Sequence, residues 1–258
     1  MAEPKVRPRG TVSLWDDPRR LGLITWALLA IAGAAVIAYS VEAAMRSQQF
    51  LLRKLVIVGE LHHVDRDQLE EAFADGVEGN FFGVDLAAVR ARIAALPWVR
   101  RVEVHRAWPD RIVARVEEHV ALARWADGGL VDTFGDRFDG ETTDRLPRFS
   151  GPAGSEHDIA ERFAGFRDRL AAVGAELTTV TLSPRYAWQL RAQTGPGHTL
   201  VIELGRDQSN DPVAARLARF VRAYPPTVAR LGRVPDVADL RYPNGFALRM
   251  PAGAGGRA

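Results

Sequence analysis

NFFGVDLAAVRARIAALPWVRRVEVHRAWPDRIVARVEEHVALARW, residues 80–125, contains the two patterns that decide the fold. In its first half, apolar residues recur at spacings of three and four, which predicts an amphipathic helix; they are Leu86, Val89, Ile93 and Leu96. Asp85 is placed to cap the start of this helix, and Pro97 to stop it. The second half contains two alternating runs, RVEVHRAW and RIVARVEEHV, separated by Pro109-Asp110, and predicts a β-hairpin.

The residues before this segment extend it into a small domain. LRKLVIVG, residues 52–59, is a β-branched run ended by glycine and predicts a strand. In VDRDQLEEAF, which follows, Asp65 and Gln68 form a capping-box pattern at the start of a short helix. The order strand, helix, helix, strand, strand predicts an α+β domain over residues 53–122, with both helices on one face of its sheet.

Further upstream, residues 21–41, LGLITWALLAIAGAAVIAYSV, contain no charged residue. At about 1.5 Å of rise per residue they reach about 31 Å, which matches the roughly 30 Å hydrocarbon core of a bilayer. We therefore predict a single transmembrane helix. A cleaved signal peptide, with a weak site at Val41-Glu42-Ala43, is the alternative, although its apolar core would span only about 7–15 residues.

Basic residues are concentrated before the apolar span, and they are Lys5, Arg7, Arg9, Arg19 and Arg20. Positive charge favours the cytoplasmic side of a membrane. The sequence therefore predicts a cytoplasmic tail over residues 1–20, a single-pass type II topology and an external location for the rest of the chain.

Downstream, residues 123–250 predict a second, mixed α/β domain with an antiparallel sheet. SEHDIAERFAGFRDRLAAVG has the apolar period of a helix, and three strand patterns follow it: ELTTVTLS, YAWQLRAQ and HTLVIEL. DPVAARLARFVRAY predicts another helix, capped by Asp211 with Pro212 in its first turn. VADLRY and FALRM, joined across Pro243-Asn244-Gly245, predict a closing strand pair, and residues 251–258 predict a flexible tail.

Composition excludes several classes of function. The 34 basic and 32 acidic residues are mixed along the chain, so we expect no nucleic-acid partner. The absence of cysteine excludes disulfides, thiolate nucleophiles and cysteine-bound metals. We predict no metal, cofactor or catalytic residue: His62 and His63 are adjacent and point apart, His105 and His119 are expected at the surface, and no serine lies in a nucleophile elbow.

A chain without a reaction is expected to act through its surfaces. An unpaired edge strand offers backbone N–H and C=O groups that a partner strand can complete, and the last predicted strand is the natural edge. Tyr242 and Phe246 lie beside it. Two alternatives stay open for these aromatics: they anchor a partner, or they fill the core of the second domain.

The pattern of residues 80–125 just after a lone membrane span resembles the POTRA domain of the FtsQ/DivIB family of bacterial cell-division proteins. The similarity continues through Leu130-Val131-Asp132, LPRFSGP, WQLRAQTGPGHTLVIELGR and VADLRYPNGFALR. It implies a POTRA domain at 53–122, a periplasmic carboxyl-terminal domain, and a place in the inner membrane at the division septum.

The resemblance also implies partners. The family's carboxyl-terminal domain binds FtsB, and through it FtsL, by its final strand and a nearby arginine, and the POTRA domain contacts other division proteins. Such a scaffold controls septal peptidoglycan synthesis without catalysing it. Transferred by motif, the partner-binding residues are Arg206, Arg241, Tyr242, Asn244, Gly245 and Phe246, the last of which stands where parts of the family have a small residue.

Two other functions fit the sequence less well. A POTRA-containing envelope assembly or transport factor would need several POTRA repeats or a following β-barrel, and the sequence shows one unit and no series of alternating ten-residue spans. A membrane-tethered hydrolase would need a catalytic constellation, which the sequence does not show.

Overall fold

A computed structural model of the chain describes residues 18–45, 54–74, 81 and 83–251. Helix α1 runs over Pro18–Met45, and its apolar part, Leu21–Ala43, is long enough to cross a membrane. Side chains from 23 to 43 are exposed around the whole helix, as expected of a helix that faces lipid. The predicted helix is present, and its length and composition fit a single membrane span. Residues 1–17 and 252–258 of the predicted tails lie outside the described residues.

The first domain has the predicted order of elements. It consists of β1 (Lys54–Val58), α2 (Arg66–Ala74), α3 (Leu86–Ala94), β2 (Val99–Ala107) and β3 (Arg111–Glu118). The sheet order is β1-β3-β2, with β1 parallel and β2 antiparallel to β3. A turn at residues 108–110, which includes a cis peptide bond between Trp108 and Pro109, joins β2 to β3.

The apolar periods explain this packing. Alternate residues of β3 point to the helices, so Ile112, Ala114 and Val116 are buried, together with Val89 and Ile93 of α3. The carboxylate of Asp85 accepts hydrogen bonds from the backbone N–H groups of Ala87 and Ala88, which confirms the predicted cap of α3.

The second domain is built on a long mixed sheet. Its elements are β4 (Ala121–Trp125), β5 (Leu130–Asp132), β6 (Arg137–Phe138), β7 (Arg148–Ser150), α4 (Glu156–Ala171), β8 (Glu176–Leu182), β9 (Ala187–Gly195), β10 (His198–Arg206), α5 (Val213–Leu231), β11 (Val237–Asp239) and β12 (Ala247–Arg249). Over the described residues, the strand order is β12-β11-β10-β9-β8-β7-β4-β5-β6.

Connection type sets the direction of each strand in this sheet. The predicted hairpins β8–β9–β10 and β11–β12 are antiparallel. Helices α4 and α5 are crossover connections, so β7 pairs parallel with β8, and β10 pairs parallel with β11. Both helices pack on the sheet, where their aromatic residues Phe163, Phe166 and Phe220 are buried.

Helix α5 differs from the prediction at both ends. The N–H of Val213 is capped by Oδ1 of Asp207 at 3.0 Å, and the residue predicted as the cap, Asp211, binds arginines instead. The helix also continues through Pro225-Pro226 to Leu231. Although prolines lack an N–H donor, the apolar face continues past them to Val228, which packs against the core, and this packing extends the helix.

A buried carboxylate joins the two domains. Oδ2 of Asp132 on β5 lies 2.8 Å from Nδ1 of His119 and 3.5 Å from Nε of Arg100 on β2. Oδ1 of the same residue accepts hydrogen bonds from the backbone N–H groups of Phe134 and Asp136. His119 follows the end of β3, and its ring stacks on Phe138, so its side chain is only 10% exposed.

Candidate functional site

The candidate site is the end of the long sheet formed by β12. β11 pairs with one side of β12, and no strand among the described residues pairs with the other. Ala247 and Arg249 are exposed, whereas Leu248 between them is half-buried against the core. β12 is therefore held in place by Leu248, which packs on the core, while its outer backbone edge is open. Another strand can pair with that edge and so extend the sheet.

The strand pair β11–β12 is held by an ion pair next to the turn. Arg241 donates hydrogen bonds to the carboxylate of Asp239 from its backbone N–H, its Nε and its Nη2, at 3.1, 2.8 and 2.6 Å. The hydrogen bonds from Arg241 are the main cause that lowers the pKa of Asp239. The fork keeps the guanidinium of Arg241, which is exposed, in one orientation beside the edge.

A bulge in β10 brings Arg241 close to the third strand of the sheet. The register shifts between Glu203 and Gly205, and Gly205 has a left-handed φ of 74°. A Cβ atom on Gly205 would stand 2.9 Å from Cγ of Arg241, so only glycine leaves room for that side chain. The neighbouring Arg206 is exposed at the end of β10.

Arg216 of α5 stabilises the backbone of this bulge by hydrogen bonds. Its side chain is buried, and it donates to the carbonyl oxygens of Leu204, Arg206 and Asp211. These carbonyls lie at the end of β10 and just before α5, so one side chain connects the strand end to the start of the helix. The buried guanidinium therefore fixes the backbone that presents Arg206.

A second arginine of α5 links the helix to the turn before β12. Arg219 binds both carboxylate oxygens of Asp211 at 2.9 and 3.3 Å, and also donates to the carbonyl oxygen of Pro243 at 3.3 Å. The hydrogen bond from Arg219 is the main cause that lowers the pKa of Asp211. The turn is thus connected to the helix as well as to β11.

The two aromatic residues of the turn have different environments. Phe246 is half-buried and meets Phe220 of α5 edge-on, with ring centroids 5.2 Å apart. Tyr242 is 55% exposed. Of the two alternatives left open by the sequence, core packing therefore describes Phe246, and an exposed position describes Tyr242.

Five of the six predicted residues, 241, 242 and 244–246, lie together between β11 and β12, and Arg206 lies two strands away at the bulge. Asn244 and Gly245 are exposed and line a small cavity of about 180 Å³ with Arg216, Arg219, Ala223, Leu240 and Phe246. That these six residues bind a partner stays a prediction.

Sequence reasoning missed four residues that position this site: Gly205, Arg216, Arg219 and Asp239. One signal was available for Gly205, since an isolated glycine inside a strand pattern often marks a bulge. The arginines gave none, because charged residues on an amphipathic helix usually face solvent.

The histidines and carboxylates of the described residues are the possible metal ligands. In the described ranges, no three histidine or acidic side chains are grouped closely enough to hold a metal ion. The histidines have structural contacts instead: His63 stacks on Trp98, and Nδ1 of His157 lies 2.8 Å from the carbonyl oxygen of Phe134.

The fold and this edge define a class of protein: one apolar helix, a POTRA-type domain and a larger sheet domain whose outer strand is open to a partner. Comparison with known families is specific. Residues 50–119 match the family model described as POTRA domain, FtsQ-type, and residues 123–241 match cell division protein FtsQ/DivIB, C-terminal.

Curated relatives agree with the family models. The chain is 35% identical to cell division protein FtsQ of Burkholderia pseudomallei (strain K96243), covering 92% of this chain and 94% of the relative. It is 36% identical to FtsQ of Bordetella pertussis (strain Tohama I), covering 92% and 93%, and 31% identical to FtsQ of Escherichia coli (strain K12), covering 78% and 74%. The chain therefore belongs to the FtsQ/DivIB family of cell-division proteins. Family membership gives it a role in cell division, with protein partners in the division machinery.

Proposed function

We propose that this chain is a non-catalytic scaffold of the division machinery that captures FtsB, and through it FtsL, along the open edge of β12. Helix α1 holds it in the inner membrane at the division septum, with residues 1–20 in the cytoplasm and both folded domains in the periplasm. By assembling these partners the scaffold controls septal peptidoglycan synthesis.

The observation that supports this proposal most is the open outer side of β12. A strand that adds there forms backbone hydrogen bonds independently of its sequence, and side chains next to the edge select the partner. The exposed Tyr242 supplies an aromatic anchor of the kind that interfaces favour. Arg206, Arg241 and Arg249 are exposed around it and favour acidic residues on the partner.

The rigid support of the edge also suits capture. Arg241 is held by Asp239, the turn by Arg219, and Phe246 by Phe220. A preorganised surface binds more tightly because less conformational freedom is lost on binding. Asn244 and Gly245 extend this surface at the turn, where both are exposed. The POTRA domain, predicted over residues 53–122, contacts other division proteins in this proposal, as a region without individually assigned residues.

Binding of the periplasmic part of FtsB to the full chain in nanodiscs tests the proposal. The carbonyl oxygen of Arg249 accepts from the N–H of Asp236 on the β11 side, so the backbone N–H of the neighbouring Leu248 faces the open edge. Leu248→Pro removes that N–H, whereas Leu248→Ala removes the same side chain and keeps it. Calorimetry should show a loss of binding for the proline variant that greatly exceeds the loss for the alanine variant, with circular dichroism unchanged in both. Equal binding by both variants would refute capture at this edge.

The envelope assembly alternative predicts a different distribution in cells. An assembly factor would appear around the whole envelope, whereas a division scaffold would form a band at midcell. The match of both domains to FtsQ families favours the division role.

A further inference from the structure

The turn between β2 and β3 exposes a tryptophan. Trp108 is 79% exposed, more than any other large apolar side chain of the described residues, including Trp26 of the apolar helix at 75%. Tryptophan carries a large apolar surface and one N–H donor, so exposing its side chain to water is unfavourable unless another surface covers it. This turn therefore has the character of a contact site.

The topology places this turn at the end of the domain where the chain arrives from α1. β1 and β3 are parallel, and Lys54, the first residue of β1, is in register with Arg111, the first residue of β3. The turn 108–110 directly precedes Arg111. Between the end of α1 at Met45 and Lys54, the chain spans at most about 30 Å. The start of β1 is thus the part of the domain nearest to the apolar helix in sequence, and the turn lies beside it.

The opposite end of the domain leads away from the membrane. β3 ends at Glu118, and β4 of the second domain begins at Ala121. Because β1 and β3 run in the same direction, the second domain continues from the end of the first domain that is distant from α1. Along the chain the first domain therefore lies between the apolar helix and the second domain, and Trp108 lies at the end of the sheet where β1 begins.

From this placement we propose that the β2–β3 turn contacts the lipid surface of the membrane that α1 spans, with Trp108 in the headgroup region. Tryptophan is enriched at that depth, where its ring is partly apolar and its N–H remains hydrated. Arg111 begins β3, and its side chain is 56% exposed and lies 3.7 Å from Oδ1 of Asp110 in the turn. Because these two charges offset each other, the contact depends on Trp108 and not on attraction to anionic headgroups.

The rest of β2 limits this contact to the turn. Arg101, Glu103 and His105 are exposed along that strand, so deeper immersion would remove charged groups from water. The proposed contact is therefore shallow and confined to the turn. It would restrict the tilt of the first domain relative to the membrane, and so the height at which the second domain is presented.

The absence of cysteine permits a direct test on the full chain. A spin label is attached to Arg111→Cys and, as a matched control, to Glu117→Cys on the same exposed face at the other end of β3. Each labelled chain is reconstituted into vesicles of phosphatidylethanolamine and phosphatidylglycerol without any other protein. Collision with oxygen and with a water-soluble nickel complex then reports the depth of each label. Arg111→Cys removes a positive charge that would attract the anionic lipid, so the substitution itself does not increase membrane contact.

We expect an oxygen-to-nickel accessibility ratio several-fold higher at position 111 than at position 117. Adding Trp108→Ala should lower the ratio at 111 toward the value at 117, with circular dichroism unchanged because the side chain is exposed. Equal ratios at the two positions, or a ratio at 111 that does not respond to Trp108→Ala, would overturn the proposal. High nickel accessibility at position 111 in these vesicles, which contain no other protein, would also exclude a lipid contact and leave the turn to a protein partner.

Discussion

Gly205 and Arg241 pack against each other across the end of the long sheet, where a Cβ atom on Gly205 would stand 2.9 Å from Cγ of Arg241. The contact joins the bulge of β10 to the residue that begins the turn before β12. Gly205 also has a left-handed φ of 74°, which favours glycine. The position of Arg241 therefore depends on a residue that contributes no side chain.

Gly205→Ala should lower the free energy of unfolding by about 1–3 kcal/mol, because the methyl group is strained by the backbone conformation and displaces Arg241. Gly245→Ala is a matched control, since a Cβ atom there meets no atom within 4 Å. Chemical denaturation of both variants in detergent measures the difference. Equal stability of the two would show that Arg241 does not rely on the close approach.

Substitutions of the two aromatic residues of the turn should have different effects, one on stability and the other on partner binding. Phe246→Ala removes a half-buried ring from Phe220 and should cost about 2 kcal/mol of stability. Tyr242→Ala should change stability by less than about 0.5 kcal/mol but weaken FtsB binding at least about tenfold. Trp108→Ala controls for loss of an exposed aromatic side chain, because Trp108 is 79% exposed in the first domain, away from the proposed site. Unchanged binding by Tyr242→Ala would remove Tyr242 from the interface.

Replacing Arg216 should destabilise the fold, although the sequence of α5 around it resembles that of any helix with charged residues. Arg216→Met leaves the carbonyl oxygens of Leu204 and Arg206 without this buried donor and should cost about 3 kcal/mol. Arg222→Met, an exposed position on the same helix, should cost less than about 0.5 kcal/mol. Thermal unfolding followed by circular dichroism compares them. Similar melting temperatures would mean that water replaces the guanidinium.

Much of the fold was predictable because its patterns are local. The uniform apolar run of α1, the helical period of α3 and the alternation of β2 and β3 each depend on neighbouring residues, and the structure has all of them. The end of α5 was not predictable in this way. Pro225-Pro226 indicates a stop locally, but core packing of Val228 beyond the prolines prevails.

In the candidate site, too, the strands were predictable from local patterns, whereas the tertiary contacts that support them were not. The closing strand pair was predicted from its alternation and from the turn at Pro243-Asn244-Gly245. Its supports were not: the contacts of Arg216 with Leu204 and of Arg219 with Pro243 join residues brought together only by the crossover of α5. Tertiary contacts of this type leave no periodic signal in the sequence.

Glu118 should make the first domain sensitive to acid. Its side chain is only 8% exposed, and its carboxylate accepts hydrogen bonds from the backbone N–H groups of His62, His63 and Val64. Burial alone would raise the pKa of Glu118, but these hydrogen bonds outweigh it and hold the pKa below the ordinary value of 4.5. Glu118 therefore stabilises the fold above about pH 4.5, and this contribution is lost as the pH falls through the lowered pKa.

Glu118→Gln should accordingly cost about 1–2 kcal/mol at pH 7, since a neutral amide accepts these bonds less strongly. The difference from the unmodified chain should shrink as the pH falls from about 4.5 through the lowered pKa of Glu118, because this side chain then becomes neutral, as glutamine already is. Other carboxylates whose pKa is lowered, such as Asp239 and Asp211, are present in both proteins and cancel in the comparison. Free energies of unfolding measured for both proteins from pH 7 to pH 3 give this difference directly. If the difference stays constant over that range, the charge of Glu118 does not contribute to stability.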